Sequence, residues 1–368
     1  MVRSAMEGRR IGDLPAREQV EAYLTQQTGR PVRCQSMEVL GPVKGQKGYQ
    51  YGTPVRVQFD CDGEQRQAVL HTIQASEFGH ERFTDRAAIL LWSHRAFNRL
   101  DRHVRSLDVG AFDRHGEMMS LSEATEFFLL TEYVPGHEYA EDLDRLGRGG
   151  ELTEHDYGFA DALCDYLLHI HQLRGDQPHW YTRRIRELVG HGECIMGLID
   201  TFDDPEVASA GELESIERRA VVWRWRLKDR THRLRQVHGD FHPWNILVQD
   251  HGAFYVLDRS RGEWGDAADD VIALTMNYLF MAMQQTGRCE GPLGELFYRF
   301  WDRYLAGSGD EEMLAVAAPF VAMRGLVMTH PRWYPNVSKE VRRKLMRLVS
   351  RVLDAKTFEP RHVNDYLR

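Results

Sequence analysis

Val237-His-Gly-Asp-Phe-His-Pro-Trp-Asn-Ile-Leu-Val248 is the stretch on which the reading of this 368-residue chain turns. Its apolar end, Ile246 to Val248, predicts a buried strand, so the polar residues before it stand at the mouth of that strand. Asp240 and Asn245 lie five apart. A lone pair at that spacing is equally well explained as a turn in which both side chains cap backbone groups. More follows here: a second apolar run, Ala253 to Leu257, ends at Asp258, thirteen residues after Asn245. Gly265-Asp266 comes soon after, with Asp270 four residues beyond Asp266.

Taken together, His238-Gly-Asp240-x-His242-x-x-Asn245, then Asp258, then Gly265-Asp266-x-x-x-Asp270 resembles the aminoglycoside phosphotransferase and choline kinase superfamily. The Asp-to-Asn spacing is also that of the protein-kinase catalytic loop. The resemblance implies an α+β, bilobal protein-kinase-like fold, with a small, mainly β N-terminal lobe and a larger, mainly α C-terminal lobe. Residues 1–136 would be the nucleotide-binding lobe with its hinge, and residues 137–368 the catalytic and substrate-binding lobe. By the same resemblance Asp240 is the catalytic base or hydroxyl-orienting group, while Asn245 and Asp258 hold Mg2+ against the phosphates of ATP or GTP. His238 and His242 support the loop, Asp270 accepts loop N–H groups, and Asp266 caps or supports the helix that follows. The run Glu126-Phe-Phe-Leu-Leu-Thr-Glu-Tyr-Val-Pro-Gly136 reads as a buried strand and resembles the family's hinge, where backbone near Glu132 and Val134 meets the adenine edge.

The chain departs from that pattern at the nucleotide grip. Where a kinase strand carries its phosphate-binding lysine, this one reads Ala68-Val-Leu-His71. A neutral imidazole supplies less charge than lysine at pH 7. Either His71 binds phosphate, or Lys44 and Lys47 of the glycine-rich stretch Gly41 to Gly48 supply the cation. That stretch fits neither Gly-x-Gly-x-x-Gly nor a Walker A pattern. Candidate acidic partners in the next helix are Glu77, Glu81 and Asp85.

The functional expectation is a Mg-dependent transfer of the nucleotide γ-phosphate to a hydroxyl of a small molecule, of aminoglycoside, choline or sugar type. The alternative is a nucleotide-binding pseudokinase or regulator, favoured by the missing lysine. A protein substrate is disfavoured, because Asp258-Arg-Ser-Arg-Gly-Glu reaches Gly265 too soon for a regulatory activation loop. A net charge of −8 speaks against a nucleic-acid partner and would suit a cationic acceptor, with Asp302, Asp310, Glu311 and Glu312 as acidic candidates. The Arg- and Trp-rich stretch 179–236, with Trp223-Arg-Trp-Arg226, reads as a long helix with a solvated charged face. Five scattered cysteines without a Cys-x-x-Cys read as reduced thiols of a cytoplasmic protein. No apolar run reaches membrane-spanning length, so no membrane is expected. Nothing in the sequence sets the oligomeric state.

Helical periodicity predicts helices over 14–29, 77–99, 153–173, 266–286, 293–306, 311–329 and 338–354, with strands over 55–59 and 67–73.

Overall fold

Residues 15–40, 51–52 and 54–368 are described by the computed structural model of the chain, which divides into two units, Met1–Thr131 and Glu132–Arg368. In the first, helix α1 (Arg17–Thr28) stops at Gly29, whose φ of 65° suits the left-handed cap that glycine adopts freely. Strands β1 (Val32–Val39), β2 (Val55–Cys61) and β3 (Glu64–Leu70) form an antiparallel sheet in that order. β2 is central, and its alternation sends Val55, Val57, Phe59 and Cys61 inward. Asp62 and Gly63, at φ 54° and 86°, make the tight turn into β3. Helix α2 (Phe83–Phe97) and a short hairpin of β4 (Gly110–Phe112) and β5 (Met118–Ser120) complete the unit. Its core is small: Val20, Cys34, Val57, Phe59 and Cys61, with a few half-buried neighbours.

Two expectations fail in this part of the chain. The helix predicted from residue 77 starts at Phe83, because Gly79 turns the chain at φ 87° and the Asp85 carboxylate accepts the Arg82 N–H at 2.7 Å. The buried strand predicted over Glu126–Gly136 is not formed. Phe128, Leu129 and Leu130 are 93%, 87% and 88% exposed, and among the described residues the run pairs with no strand, leaving the outer edge of β3 unpaired.

The second unit opens with β6 (His137–Glu138) and α3 (Tyr139–Gly147), then α4 (Glu154–Ile170), α5 (His179–Gly190), α6 (Ile195–Asp200) and α7 (Ala210–Leu227). The stretch 179–236 is therefore three helices and not one long helix. His191 leaves helical conformation after Gly190, and Ser209 starts α7 by accepting the Glu212 N–H. Trp223 is buried, its indole donating to the Leu353 carbonyl at 2.9 Å, while Trp225 stays exposed under Lys228. Strands β7 (Leu234–Gln236), β8 (Ile246–Val248), β9 (Phe254–Val256) and β10 (Trp264–Asp266) follow. β6, β8 and β9 form one small sheet, and β7 pairs with β10. Gly136 is required at the first: a Cβ there would stand 2.5 Å from the Val248 carbonyl oxygen.

Helix α8 (Ala267–Thr286) is buried along nearly its whole length, and its buried residues are apolar except for Asp269 and Asp270 in its first turn and Thr275 and Asn277, whose side chains donate to carbonyls of the same helix. Against it pack α9 (Gly291–Ser308), α10 (Glu312–Val316) and α11 (Ala318–Thr329), while α12 (Lys339–Asp354) packs on α11 and α7 and the short α13 (Val363–Tyr366) on α12. The helix predicted over 311–329 is split into α10 and α11 at Ala317, ahead of Pro319, which lacks the N–H that continuous winding needs. α12 buries Val341, Leu345, Leu348, Val349 and Val352 and solvates most of its basic face. Arg342 is the exception: buried, it donates to the carbonyls of Thr329, Tyr334 and Val337 and so holds the end of α11. Among the described residues no helix is long and apolar enough to cross a membrane, and all five cysteines are buried free thiols.

Candidate active site

The start of the loop 237–245 hangs on a carboxylate from the first turn of α8. Asp270 is fully buried and accepts the N–H of His238 at 2.7 Å and of Gly239 at 2.7 Å, one on each oxygen. Two adjacent amides can converge on one carboxylate because Gly239 sits at φ 89°, a conformation that costs a side-chain-bearing residue strain. The His171 imidazole, at the end of α4, lies 3.1 Å from Asp270 Oδ2 and is held from its other side by the Tyr304 hydroxyl of α9 at 2.6 Å. Burial would raise the Asp270 carboxyl, but hydrogen bonds and charge from His171 and His238 and the loop N–H groups hold it below the ordinary carboxylate range.

Asp266 fixes the start of the same helix. It accepts the Ala268 N–H at 3.0 Å as N-cap, a two-point Arg233 contact at 2.7 and 2.8 Å, and the Tyr181 hydroxyl at 2.8 Å. β7 and β10 run antiparallel beside it, with Trp264 opposite Gln236, so loop and cap are carried by one ladder. Arg259 adds a hook, donating to the Val237 carbonyl at 2.8 and 3.0 Å.

Asp240 stands at the loop apex, 7% exposed. Asn245, in the single 3-10 turn Pro243–Asn245, donates its side-chain N–H to the Asp240 carbonyl at 3.0 Å, which leaves the amide oxygen as the free end. The Leu257 N–H donates to the Asn245 carbonyl at 2.8 Å, and this bond brings Asp258 beside the loop. Asp258 is exposed in left-handed conformation, φ 53°, and its carboxylate accepts the Ser260 N–H at 3.2 Å. Short polar side chains tolerate that conformation best. The two oxygen donors, Asn245 and Asp258, suit a hard cation such as Mg2+, which takes its remaining ligands from water and phosphate. Among the described residues no group of three or more His, Cys, Asp or Glu could hold a metal alone.

Asp240 also has partners that the sequence pattern gave no hint of. Arg324, from the middle of α11, donates to its Oδ1 at 2.5 Å, and Arg261 Nε lies 3.4 Å from Oδ2. Behind them Arg184 of α5 pairs with Asp269 at 2.6 Å and reaches the Gly239 carbonyl at 3.5 Å. Burial raises the Asp240 carboxyl, but Arg324 and Arg261 outweigh it and bring it down to about 2. His242, its Nε2 3.9 Å from Asp240, is lowered to about 4 because burial penalises the imidazolium more than Asp240 supports it. A signal for Arg324 did exist in the sequence: one arginine inside Phe320–Met328, otherwise apolar, must find a buried partner.

Other candidates are placed differently. His71 follows β3 and is exposed. Glu132 is exposed and Val134 half-buried, in backbone without regular structure. Lys44 and Lys47, with the rest of the glycine-rich stretch, lie outside the described residues. The acidic residues that favoured a cationic acceptor are engaged by bases: Asp310 by Arg233, Glu312 by Arg230 and His232, and Asp302 by Arg361. Only Glu311 among them has no basic partner in the described residues.

A sheet-bearing N-terminal unit, a helical C-terminal unit and an Asp–Asn loop anchored on a buried helix define a protein of the protein-kinase-like superfamily. The sequence model of the Phosphotransferase enzyme family matches residues 69–314, two-thirds of the chain, and the chain belongs to that family. Among solved structures it is similar to a glucosamine kinase, at 17% identity over 92% of each chain with a TM-score of 0.37. It is also similar to an amicoumacin kinase in complex with AMP-PNP, Ca2+ and Ami, at 13% identity over 89% of this chain and 92% of that one, TM-score 0.40. A choline kinase from Streptococcus pneumoniae gives 12% identity over 87% and 94%, TM-score 0.33. Comparison with curated proteins gives no match.

Proposed function

We propose that the chain transfers the γ-phosphate of ATP or GTP, with Mg2+, to a hydroxyl of a small molecule. The observation that carries this reading is the buried turn in which Asp240 and Asn245 are bonded to each other, with Asp258 delivered alongside through the Leu257–Asn245 hydrogen bond. In the step itself the acceptor oxygen forms a bond to the γ-phosphorus. The bond from that phosphorus to the β–γ bridging oxygen breaks, the nucleoside diphosphate leaves, and the hydroxyl proton passes to Asp240. With its carboxyl near pH 2, Asp240 is a weak base. Its work is to hold the hydroxyl in line and take the proton late, which suits a loose transition state. Bound magnesium would neutralise phosphate charge, with Asn245 and Asp258 as its protein ligands. His71, Lys44 and Lys47 are the proposed cations toward the nucleotide phosphates, and backbone near Glu132 and Val134 the proposed adenine contact.

A second reading, a nucleotide-binding regulator without transfer, draws on two observations: His71 in place of the expected lysine, and the Arg324 clamp on Asp240. A screen of hydroxylated small molecules for ADP release in Mg-ATP, with Asp240→Asn as the control, separates the two. Release that depends on acceptor and is lost in the variant is expected. Tight Mg-ATP binding by calorimetry without release on any acceptor would favour the regulator.

A further inference from the structure

Three guanidinium groups surround Asp240 and Asp269: Arg324, Arg261 and Arg184. Against three cations stand two buried carboxylates. Glu193, 3.9 Å from Arg261, has a side chain 63% exposed and so offers screened charge. The hydrogen bonds are also incomplete. Arg324 Nε, Arg261 Nη1 and Arg184 Nε are buried with no partner among the described residues, although Arg324 and Arg184 are only 5% and 4% exposed. A buried cation left short of both charge and acceptors is costly. A site built this way is complementary to an anion that it does not itself contain.

We propose that the acceptor is an anionic hydroxy compound, carrying a carboxylate or phosphate near its reacting hydroxyl, and that Arg261 and Arg324 receive that anionic group. This rests on the phosphotransferase reading and adds the substrate class to it. Placement follows from the shared carboxylate. Because both guanidinium groups already touch Asp240, an anion on them sets the neighbouring hydroxyl at the catalytic oxygen. Arg261 is the accessible one, 16% exposed along its side chain and in loose contact with Asp240 and Glu193, whereas Arg324 is the buried floor. An anion that takes a share of Arg324 also loosens its hold on Asp240, leaving that carboxylate freer to accept the hydroxyl proton.

The test uses the full chain and two readouts, direct binding by calorimetry and ADP release in Mg-ATP. Glycerate and glycerol 3-phosphate serve as anionic probes, and glycerol, choline and glucosamine as neutral and cationic ones. Expected are binding and turnover of at least one anionic probe above all the others. Which of the two does so assigns the carboxylate or the phosphate. In Arg261→Gln, which disturbs no direct hydrogen bond to Asp240, the KM and Kd for that probe should rise 10- to 100-fold with kcat little changed. Arg324→Gln, if it folds, should raise KM and Kd for that probe as well and change kcat too, because its hydrogen bond to Asp240 is lost; Arg261→Gln decides the matter on KM and Kd. Turnover of choline or glucosamine with neither anionic probe bound would overturn the anion site and leave the phosphotransferase reading intact. Arg261-dependent binding of an anionic probe without ADP release would support the anion site and count against the transfer reading. A loss of kcat in Arg261→Gln equal for neutral and anionic acceptors would assign the arginine to the transferred phosphate and overturn the proposal, as would no binding by any probe.

Discussion

The two units of this chain hold their chemistry in opposite ways. In the first, a core of Val20, Cys34, Val57, Phe59 and Cys61 supports a three-stranded sheet, and His71 is exposed just past the end of its strand. In the second, Asp240, Asp266, Asp269 and Asp270 are buried, and each is matched by arginine, histidine or backbone N–H. A buried charge must be satisfied wherever the fold puts it, so its position is over-determined. An exposed imidazole is free to adapt. The difference teaches where a substitution will act through the fold and where it will act only through a ligand.

The sharpest attempt to break that contrast is Asp240→Asn. Turnover should fall about 10²- to 10⁴-fold, and stability should fall as well, by about 3–5 kcal/mol, because Arg324 loses its charge partner in a buried site. Denaturant midpoints measured beside kinetics check both, and an unchanged midpoint would show that Arg324 does not need Asp240. Asp270→Ala comes next. It orphans the His238 and Gly239 amides, each at a cost of about 1–3 kcal/mol, and should speed hydrogen exchange at those two positions above that of the α8 helix.

How much of this the sequence showed depends on whether a residue's partner lay close in the chain. The Asp240–Asn245 turn, the strand behind it and the cap at Asp266 were legible because their partners lie within a few residues. Asp270 was legible only through the resemblance, since its bonds to the loop span 31 and 32 residues. Arg324, 84 residues from Asp240, follows no local spacing rule, and its one trace was a charge in an apolar helix. The apolar run 126–134 misled for a related reason: hydrophobicity predicts a strand, but a strand also needs a pairing partner, and among the described residues this run pairs with none.

Acid should separate the units next. His242 lies at about 4 against its ordinary 6.5, lowered by burial, so the unfolded chain takes up that proton first. Its contribution is full above pH 6.5 and is lost as pH falls toward 4, a loss of about 3 kcal/mol. Asp240, at about 2 against 3.8, adds a further loss between those values. His242→Asn should flatten the first part of the profile, read as the denaturant midpoint at pH 7 and pH 4.5. The smallest effect is expected from His71→Ala. Being exposed, it should shift stability by no more than about 0.5 kcal/mol, and any consequence should show only in Mg-ATP affinity. A large loss of stability would mean that the first unit, too, depends on this position.

The Asp270 carboxylate has a consequence for how the chain comes together. It joins residues 171, 238, 239 and, through His171, Tyr304, across gaps of up to 133 residues. Closing such long loops is entropically expensive, and contacts of that separation tend to form late. The helices can wind locally long before the turn at Asp240 has anything to hang on. On dilution from denaturant, far-UV helical signal should therefore return ahead of amide protection at Gly239 and ahead of catalysis. A nascent or damaged chain would then be helical and silent, and the proposed transfer would begin only when the last long-range bond had closed.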